Sequence, residues 1–304
     1  MKKKCLVMLS GGLDSRLVVK IMQEKGFGVT ALFFKLPFGT GCCDENCSFN
    51  FSQLQGLRLE IFDCTRGKLL KEYLEVIKKP KYGRGAGVNP CIDCRIFMFS
   101  KAREFADAEG IEFVATGEVE GQRPMSQMKK SLRLIEEKSG LGKRLLRPLS
   151  EFGITGRRRN KQMALAKRFK ISYPTPAGGC VLCEKELKKR FEFLFKRRLN
   201  EDEVKFVNIG RHFVIDSCWV VLGRNEKENK IIESFGTQGC TPKDFRRKSL
   251  LRAKNLIVPD FPAPSALMLD KPKKGVLKKV NKLLEAYSKK GSLKDRKKFE
   301  KYKI

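Results

Sequence analysis

The chain has 304 residues, with 65 Lys and Arg against 34 Asp and Glu, a formal net charge of +31. An apolar content of 41% allows a real core, and a charge this large points to a polyanionic partner such as nucleic acid. No apolar run approaches the ~18 residues of a membrane span, and the run after Lys4 stops at Ser10, too early for a secretory signal, so a cytoplasmic protein is expected.

Residues 4–9 read as a buried strand and 14–25 as an amphipathic helix, joined by Ser10-Gly11-Gly12-Leu13-Asp14-Ser15. The two glycines let the backbone turn sharply and approach a ligand, and the free N–H groups of a helix start favour an anion such as phosphate. Val29 to Phe34 reads as a second strand. Strand–helix–strand order implies a parallel sheet whose ligands bind beyond the carboxyl ends of its strands. Residues 37–48 read as a loop carrying Cys42, Cys43 and Cys47, and 57–62 as a third strand. A helix runs from Asp63-Cys64-Thr65 to about Lys78, and a glycine-rich loop covers 79–88. Asn89-Pro90-Cys91-Ile92-Asp93-Cys94 then precedes a helical pattern over 96–109. A fourth strand, 111–116, ends in Gly117-Glu118, and 128–146 hold a helix and a strand before a break at Arg147-Pro148.

Residues 155–169 read as a helix bearing Arg157, Arg158, Arg159, Lys161, Lys167 and Arg168 and no acid, a pattern suited to a phosphate backbone. A loop over 173–183 carries a second cysteine pair, Cys180 and Cys183, and 187–199 is another basic helix. Short strands are expected at 204–209, 211–215, 219–222 and 230–235, forming a small α+β domain. Residues 271–304 begin as an amphipathic basic helix and end in a segment read as disordered. Three segments are therefore expected: 1–185, 186–270 and 271–304.

Eleven cysteines in a chain expected to be cytoplasmic suggest metal or sulfur chemistry rather than disulfides. Cys91-x-x-Cys94 and Cys180-x-x-Cys183 could supply four thiolates, but 85 residues separate Cys94 from Cys180. Only the fold can bring them together. A structural zinc site, an iron–sulfur cluster and sulfur-carrying cysteines all remain open. Cys5, Cys64 and Cys218 sit in apolar or strand context and read as core. His212 is the one histidine, with no visible partner for nucleophilic catalysis.

The run Ser10–Ser15 resembles the pyrophosphate loop of the PP-loop ATPases, which cleave ATP between its α and β phosphates and adenylate a substrate. Asn89-Pro90-Cys91-Ile92-Asp93-Cys94, Ala115-Thr116-Gly117-Glu118 and Ala177-Gly178-Gly179-Cys180 together resemble the tRNA thiouridine synthases. Gly121-Gln122 and Ser126-Gln127 resemble the paired motifs of the 4-thiouridine synthetases. The resemblance implies an α/β parallel-sheet ATPase domain that binds ATP and Mg²⁺ and thiolates a uridine of tRNA. It implies nucleotide contacts from Ser10, Gly11, Gly12, Leu13, Asp14, Ser15, Phe33, Gly117 and Gln122, with adenine against the backbone of residues 31–33. Asp14 helps to position Mg²⁺, and Cys94 and Cys180 match the two catalytic cysteines of the 2-thiouridine synthases. Cys91, Cys94 and Cys180 match the three ligands of a [4Fe–4S] cluster in the wider superfamily, the fourth iron binding the sulfur supplied as sulfide or by a donor protein. Cys183 departs from that pattern: either it lies outside the cluster, or as a fourth ligand it closes a structural site, for which Zn²⁺ is the alternative metal. Gly223 to Asn229 and Phe261-Pro262-Ala263-Pro264 weakly resemble an RNA-binding domain of NFACT proteins.

Overall fold

The structure, a computed structural model, describes residues 2–38, 45–175, 180–197, 201–236 and 255–304. The chain divides into two compact units, Met1–Lys188 and Lys189–Ile304.

The first unit runs β1 (Lys4–Met8), α1 (Leu13–Glu24), β2 (Gly28–Lys35), α2 (Glu45–Leu54), β3 (Arg58–Asp63), α3 (Gly67–Lys78), α4 (Cys91–Ala108), β4 (Phe113–Thr116), α5 (Lys129–Lys138), β5 (Leu145–Leu146) and α6 (Asn160–Arg168). Its five strands are parallel, in the order β3-β2-β1-β4-β5. Parallel strands are joined by helical crossovers that cover the sheet, so their side chains are buried on both faces. Cys5, Leu6, Val7 and Leu9 are accordingly almost fully buried. On one face Cys5, Val7 and Leu9 pack with Leu13, Leu17, Val18 and Ile21 of α1 and with Ile154 and Ala166. The α/β architecture expected from the sequence is therefore present. Strand order reverses at β1, with β2 on one side and β4 on the other, and such a reversal opens a crevice at the carboxyl ends.

Three local expectations change. The segment 37–48, read as a loop, contains the start of α2, so Cys47 is helical; Cys42 and Cys43 lie outside the described residues. Helix α4 begins at Cys91 with Pro90 as its N-cap, placing the first cysteine pair in the opening turn instead of a preceding loop. Helix α6 begins only at Asn160, which leaves Arg157, Arg158 and Arg159 ahead of it.

The second unit follows the start of α7 (Lys188–Phe195) and contains α8 (Glu201–Phe206), β6 (Arg211–Ile215), β7 (Cys218–Leu222), α9 (Glu226–Gly236), β8 (Leu256–Ile257), β9 (Ala266–Met268), α10 (Val276–Tyr287) and α11 (Leu293–Lys297). An antiparallel sheet runs β6-β7-β9-β8. Two segments expected as strands are helical: 204–209 overlaps α8, and 230–235 lies in α9. The adjacent pair Ile231-Ile232 imitates a strand, but Asn225 accepts the Glu228 N–H at 3.0 Å and caps a helix start. The basic tail is no separate segment. Val276, Val280, Leu283 and Leu284 of α10 pack against Phe213, Val220 and Met268 of the sheet, with Phe299 and Tyr302 beside them. Ile304 N donates to the His212 carbonyl at 3.1 Å, so the final residues expected to be disordered are tied to β6. No helix among the described residues is long and apolar enough to cross a membrane.

His212 is fully buried and structural. Its Nδ1 accepts from Trp219 Nε1 at 2.9 Å, and its Nε2 lies 2.7 Å from the Ile209 carbonyl, which can only accept. The ring is thus the neutral Nε2–H tautomer. Burial, with the charge of Arg190, pushes its pKa down from 6.5 to about 3. A depressed histidine pKa gives stability that is present above the unfolded value and lost as pH falls through it. Between pH 6.5 and 5 the second unit should lose about 1.6 kcal/mol in all from this residue. Denaturant unfolding at the two pH values checks this, and His212→Gln should remove most of the slope.

Candidate active site

The carboxyl ends of β1 and β4 meet at the pair Met8↔Thr116. From β1 the chain enters the glycine turn. Gly11 has φ +78°, a left-handed conformation natural to glycine, and Gly12 is the extended N-cap of α1. Ser15 closes the turn: its hydroxyl donates to the Gly12 carbonyl at 2.9 Å and accepts the Ser10 N–H at 3.2 Å. The Ser10 hydroxyl lies 3.3 Å from the same oxygen. Leu13 is buried in the core, so it serves the turn through its backbone. The expected loop residues are therefore assembled as one turn at the mouth of the sheet.

Asp14 sits at the start of α1, where Gln122 donates to its Oδ2 at 3.0 Å. Its Oδ1 is buried and makes no hydrogen bond within 3.5 Å, although the buried Gln162 amide lies close enough to pull the carboxyl pKa down. Burial pushes the carboxyl pKa up, against the Gln122 hydrogen bond and the charges of Arg159 and Arg123, which pull it down. An orphaned carboxylate oxygen beside a phosphate-type turn suits a hydrated Mg²⁺ ion. Gly117, just past β4, presses against this turn. A Cβ there would lie 2.8 Å from Asp14 C and Ser15 N, which no side chain tolerates without moving backbone. Gly117→Val should therefore weaken ATP binding by at least ~tenfold, about 1.4 kcal/mol, as read by calorimetric titration.

Phe33 marks the open edge of β2. Ala31 and Leu32 pair with Val7 and Met8 of β1, so their backbone is engaged on both sides. From Phe33 to Lys35 the strand pairs only with β3, leaving its β1-side backbone beyond the last β1 partner. That edge is where the backbone of β2 is open to a ligand.

Sequence reasoning missed Arg16. It is almost fully buried and has no carboxylate partner among the described residues. Its Nε donates to the Gly11 carbonyl at 2.7 Å, one terminal nitrogen to Ser172 O at 2.8 Å and the other to Cys47 Sγ at 3.0 Å. The guanidinium also lies 4.7 Å from the Phe51 ring centre. A charged residue at helical spacing between Leu13 and Val19, on the buried face of α1, was the available signal.

The cysteines form the second half of the site. Cys91 and Cys94 are three residues apart in the first turn of α4, on one helix face. Cys180 and Cys183 flank a 3-10 turn that docks on the preceding loop through Val88 N to Leu182 O, 2.9 Å. The thiols come close enough to perturb one another: Cys94, Cys183 and Cys91 all raise the Cys180 pKa, and Cys91 raises that of Cys183. Asn89 Nδ2 donates to Cys91 Sγ at 3.1 Å, and the Tyr73 hydroxyl lies 3.5 Å from Cys94 Sγ. Burial pushes the Cys180 thiol up to about 12 and raises Cys94 and Cys183 as well. Cys64, expected as core, is buried just past β3 and lies near Cys94. Among the described residues no group of three or more His, Cys, Asp or Glu is set to hold a metal ion. The donor chemistry, four convergent thiols with amide and phenol donors aimed at two of them, suits a thiophilic group or a sulfur-carrying cysteine. Cys240 and residues 176–179 lie outside the described residues.

A family model described as "Thiamine biosynthesis protein (ThiI)" matches residues 1–188, the whole of the first unit. The tRNA-specific 2-thiouridylase of Nitratiruptor sp. is 32% identical over 127 residues, 38% of this chain and 35% of that relative. The corresponding enzyme of Sulfurimonas denitrificans is 32% identical over 123 residues with the same coverage. The chain spans about a third of the length of these curated relatives. A solved 4-thiouridine synthetase–RNA complex with bound ATP aligns over 67% of this chain and 51% of its own, at 22% identity and a TM-score of 0.43. The family match covers more than half of the residues and ends at the boundary between the two units, and the chain belongs to the ThiI family.

Proposed function

We propose that this protein thiolates a uridine of tRNA in an ATP-dependent reaction. The observation that carries this reading is the presence, in one unit, of a phosphate-type turn and of two cysteine pairs from distant segments, brought together where the 180–183 turn docks on Val88. The turn supplies activation, and the thiols supply a place for sulfur.

In the first step the backbone N–H groups of the turn and the start of α1 hold the phosphates of ATP. Asp14, through its free Oδ1, would help to hold Mg²⁺, which neutralises phosphate charge when bound. The uridine carbonyl oxygen attacks the α-phosphorus, a P–O bond breaks, and pyrophosphate leaves with the electron pair. In the second step sulfide brought to the thiol pocket attacks the activated carbon. A C–S bond forms, the C–O bond breaks, and AMP leaves with that pair. Cys91, Cys94 and Cys180 are the residues on which the resemblance would place a [4Fe–4S] cluster, which would supply a binding place for sulfide; among the described residues they are not set as three ligands of one metal group, and no step is routed through it. Neither step needs a histidine base, in keeping with the structural role of His212.

The tRNA backbone would be held by Arg157 and Arg158, both exposed, and by the solvent-facing side of α10, where Lys278 and Lys282 are exposed. Weak resemblance of the second unit to an NFACT-type module agrees with an RNA-holding role. The test is to supply ATP, Mg²⁺ and sulfide with and without tRNA, under anaerobic conditions, and to follow pyrophosphate and tRNA nucleosides. Pyrophosphate release that depends on tRNA, with a thiouridine in the digest, is expected. Release without tRNA would indicate a small-molecule adenylating enzyme, and no release would indicate an RNA-binding protein on a nucleotide fold.

A further inference from the structure

We propose that Arg123 is a phosphate-binding residue placed between the two halves of the site, where it holds the AMP portion of the adenylated uridine while sulfur displaces it. This rests on the thiolation reading above.

Arg123 belongs to the loop Gly121-Gln122-Arg123-Pro124-Met125-Ser126-Gln127, which touches both halves. At one end Gln122 Nε2 donates to Asp14 Oδ2 at 3.0 Å, in the phosphate turn. At the other, Met125 Sδ lies 3.6 Å from Asn89 Nδ2, and the same amide donates to Cys91 Sγ at 3.1 Å. Two residues separate these anchors, and Arg123 is one of them. The loop is closed on itself by Gly121 N to Gln127 O at 2.8 Å and anchored by Gly156 N to Glu120 O at 2.7 Å. Its Ser126 and Gln127 are buried. Met125 has φ +66°, left-handed and rare for a residue with a side chain, so the packing around it holds a strained conformation.

Arg123 itself is exposed, and among the described residues no hydrogen bond or ion pair engages its guanidinium. A fixed loop thus presents a free cation between the phosphate turn and the thiols. Its charge is felt on both sides, pulling down the Asp14 carboxyl and the Cys183 thiol against the burial that raises them. As the C–O bond breaks, negative charge accumulates on the departing phosphate of AMP. A guanidinium fits that charge in fork geometry, and its aid is greatest in the second step.

The test uses the full chain with Arg123→Gln and Arg123→Lys, both checked for an unchanged unfolding midpoint. AMP affinity is measured by calorimetry without tRNA. Single-turnover release of pyrophosphate and formation of thiouridine are then timed separately. Arg123→Gln should weaken AMP at least ~tenfold and slow thiouridine formation at least ~tenfold more than pyrophosphate release, with partial rescue by Arg123→Lys. AMP affinity and sulfur-step rate equal to wild type would overturn the proposal. If wild type binds AMP, Arg123→Gln weakens it and no thiouridine forms in either, the thiolation reading fails while the phosphate contact stands.

Discussion

Replacing Cys94 by alanine should lower thiouridine formation at least ~100-fold while a single turnover of tRNA-dependent pyrophosphate release stays within about threefold. The two effects separate because the two halves of the site use different residues. Among the described residues no hydrogen bond joins Asp14, Ser15 or Gln122 to Cys94, whose close partner is the Tyr73 hydroxyl. Cys180→Ala should behave in the same way, since the Cys94 thiol is close enough to raise the Cys180 pKa. Cys183 is the exposed member of the group, and Cys183→Ala should retain most of the activity if three cysteines suffice. Nucleoside mass spectrometry of the tRNA reads the first quantity, and a coupled pyrophosphate assay the second. Activity retained by all of these variants would remove the thiols from the reaction.

Arg16→Met should destabilise the first unit by about 3 kcal/mol and weaken ATP binding at least ~tenfold. Methionine fills much of the space of the arginine stem but donates nothing. The Gly11 and Ser172 carbonyls would lose donors at 2.7 and 2.8 Å, and the Phe51 ring would lose its cation. A buried acceptor left without a partner costs more than the net value of the bond it made. Gly11 is also the hinge of the phosphate turn, so a loosened carbonyl is a misplaced turn. Arg16→Lys should recover little, because an ammonium cannot reach three separate acceptors in the planar fork of a guanidinium. Denaturant unfolding and calorimetric titration with ATP measure the two effects.

The sheet and the phosphate turn were legible because their signals are local. β1 and β2 are short apolar runs, buried on both faces, and the glycine turn lies directly between β1 and α1. Helix α2 was not legible: its buried face is Ser48, Phe51 and Ser52, while Phe49 and Leu54 face solvent. Hydrophobic periodicity cannot find a helix that buries serines. Arg16 was missed because two of its partners are distant in sequence, Cys47 and Ser172. The cysteine pairs were visible as pairs, but only the packing of the 180–183 turn on Val88 brings them together. In the tail, a run of lysines hid the anchors Phe299 and Tyr302, which hold the last residues to the sheet.

The central claim, that one site both activates an oxygen with ATP and replaces it with sulfur, is tested most directly by stoichiometry. AMP, pyrophosphate and thiouridine can be counted in a single anaerobic reaction with tRNA, ATP, Mg²⁺ and sulfide. Equal amounts of all three are predicted. AMP and pyrophosphate without thiouridine, or thiouridine without AMP, would contradict the account.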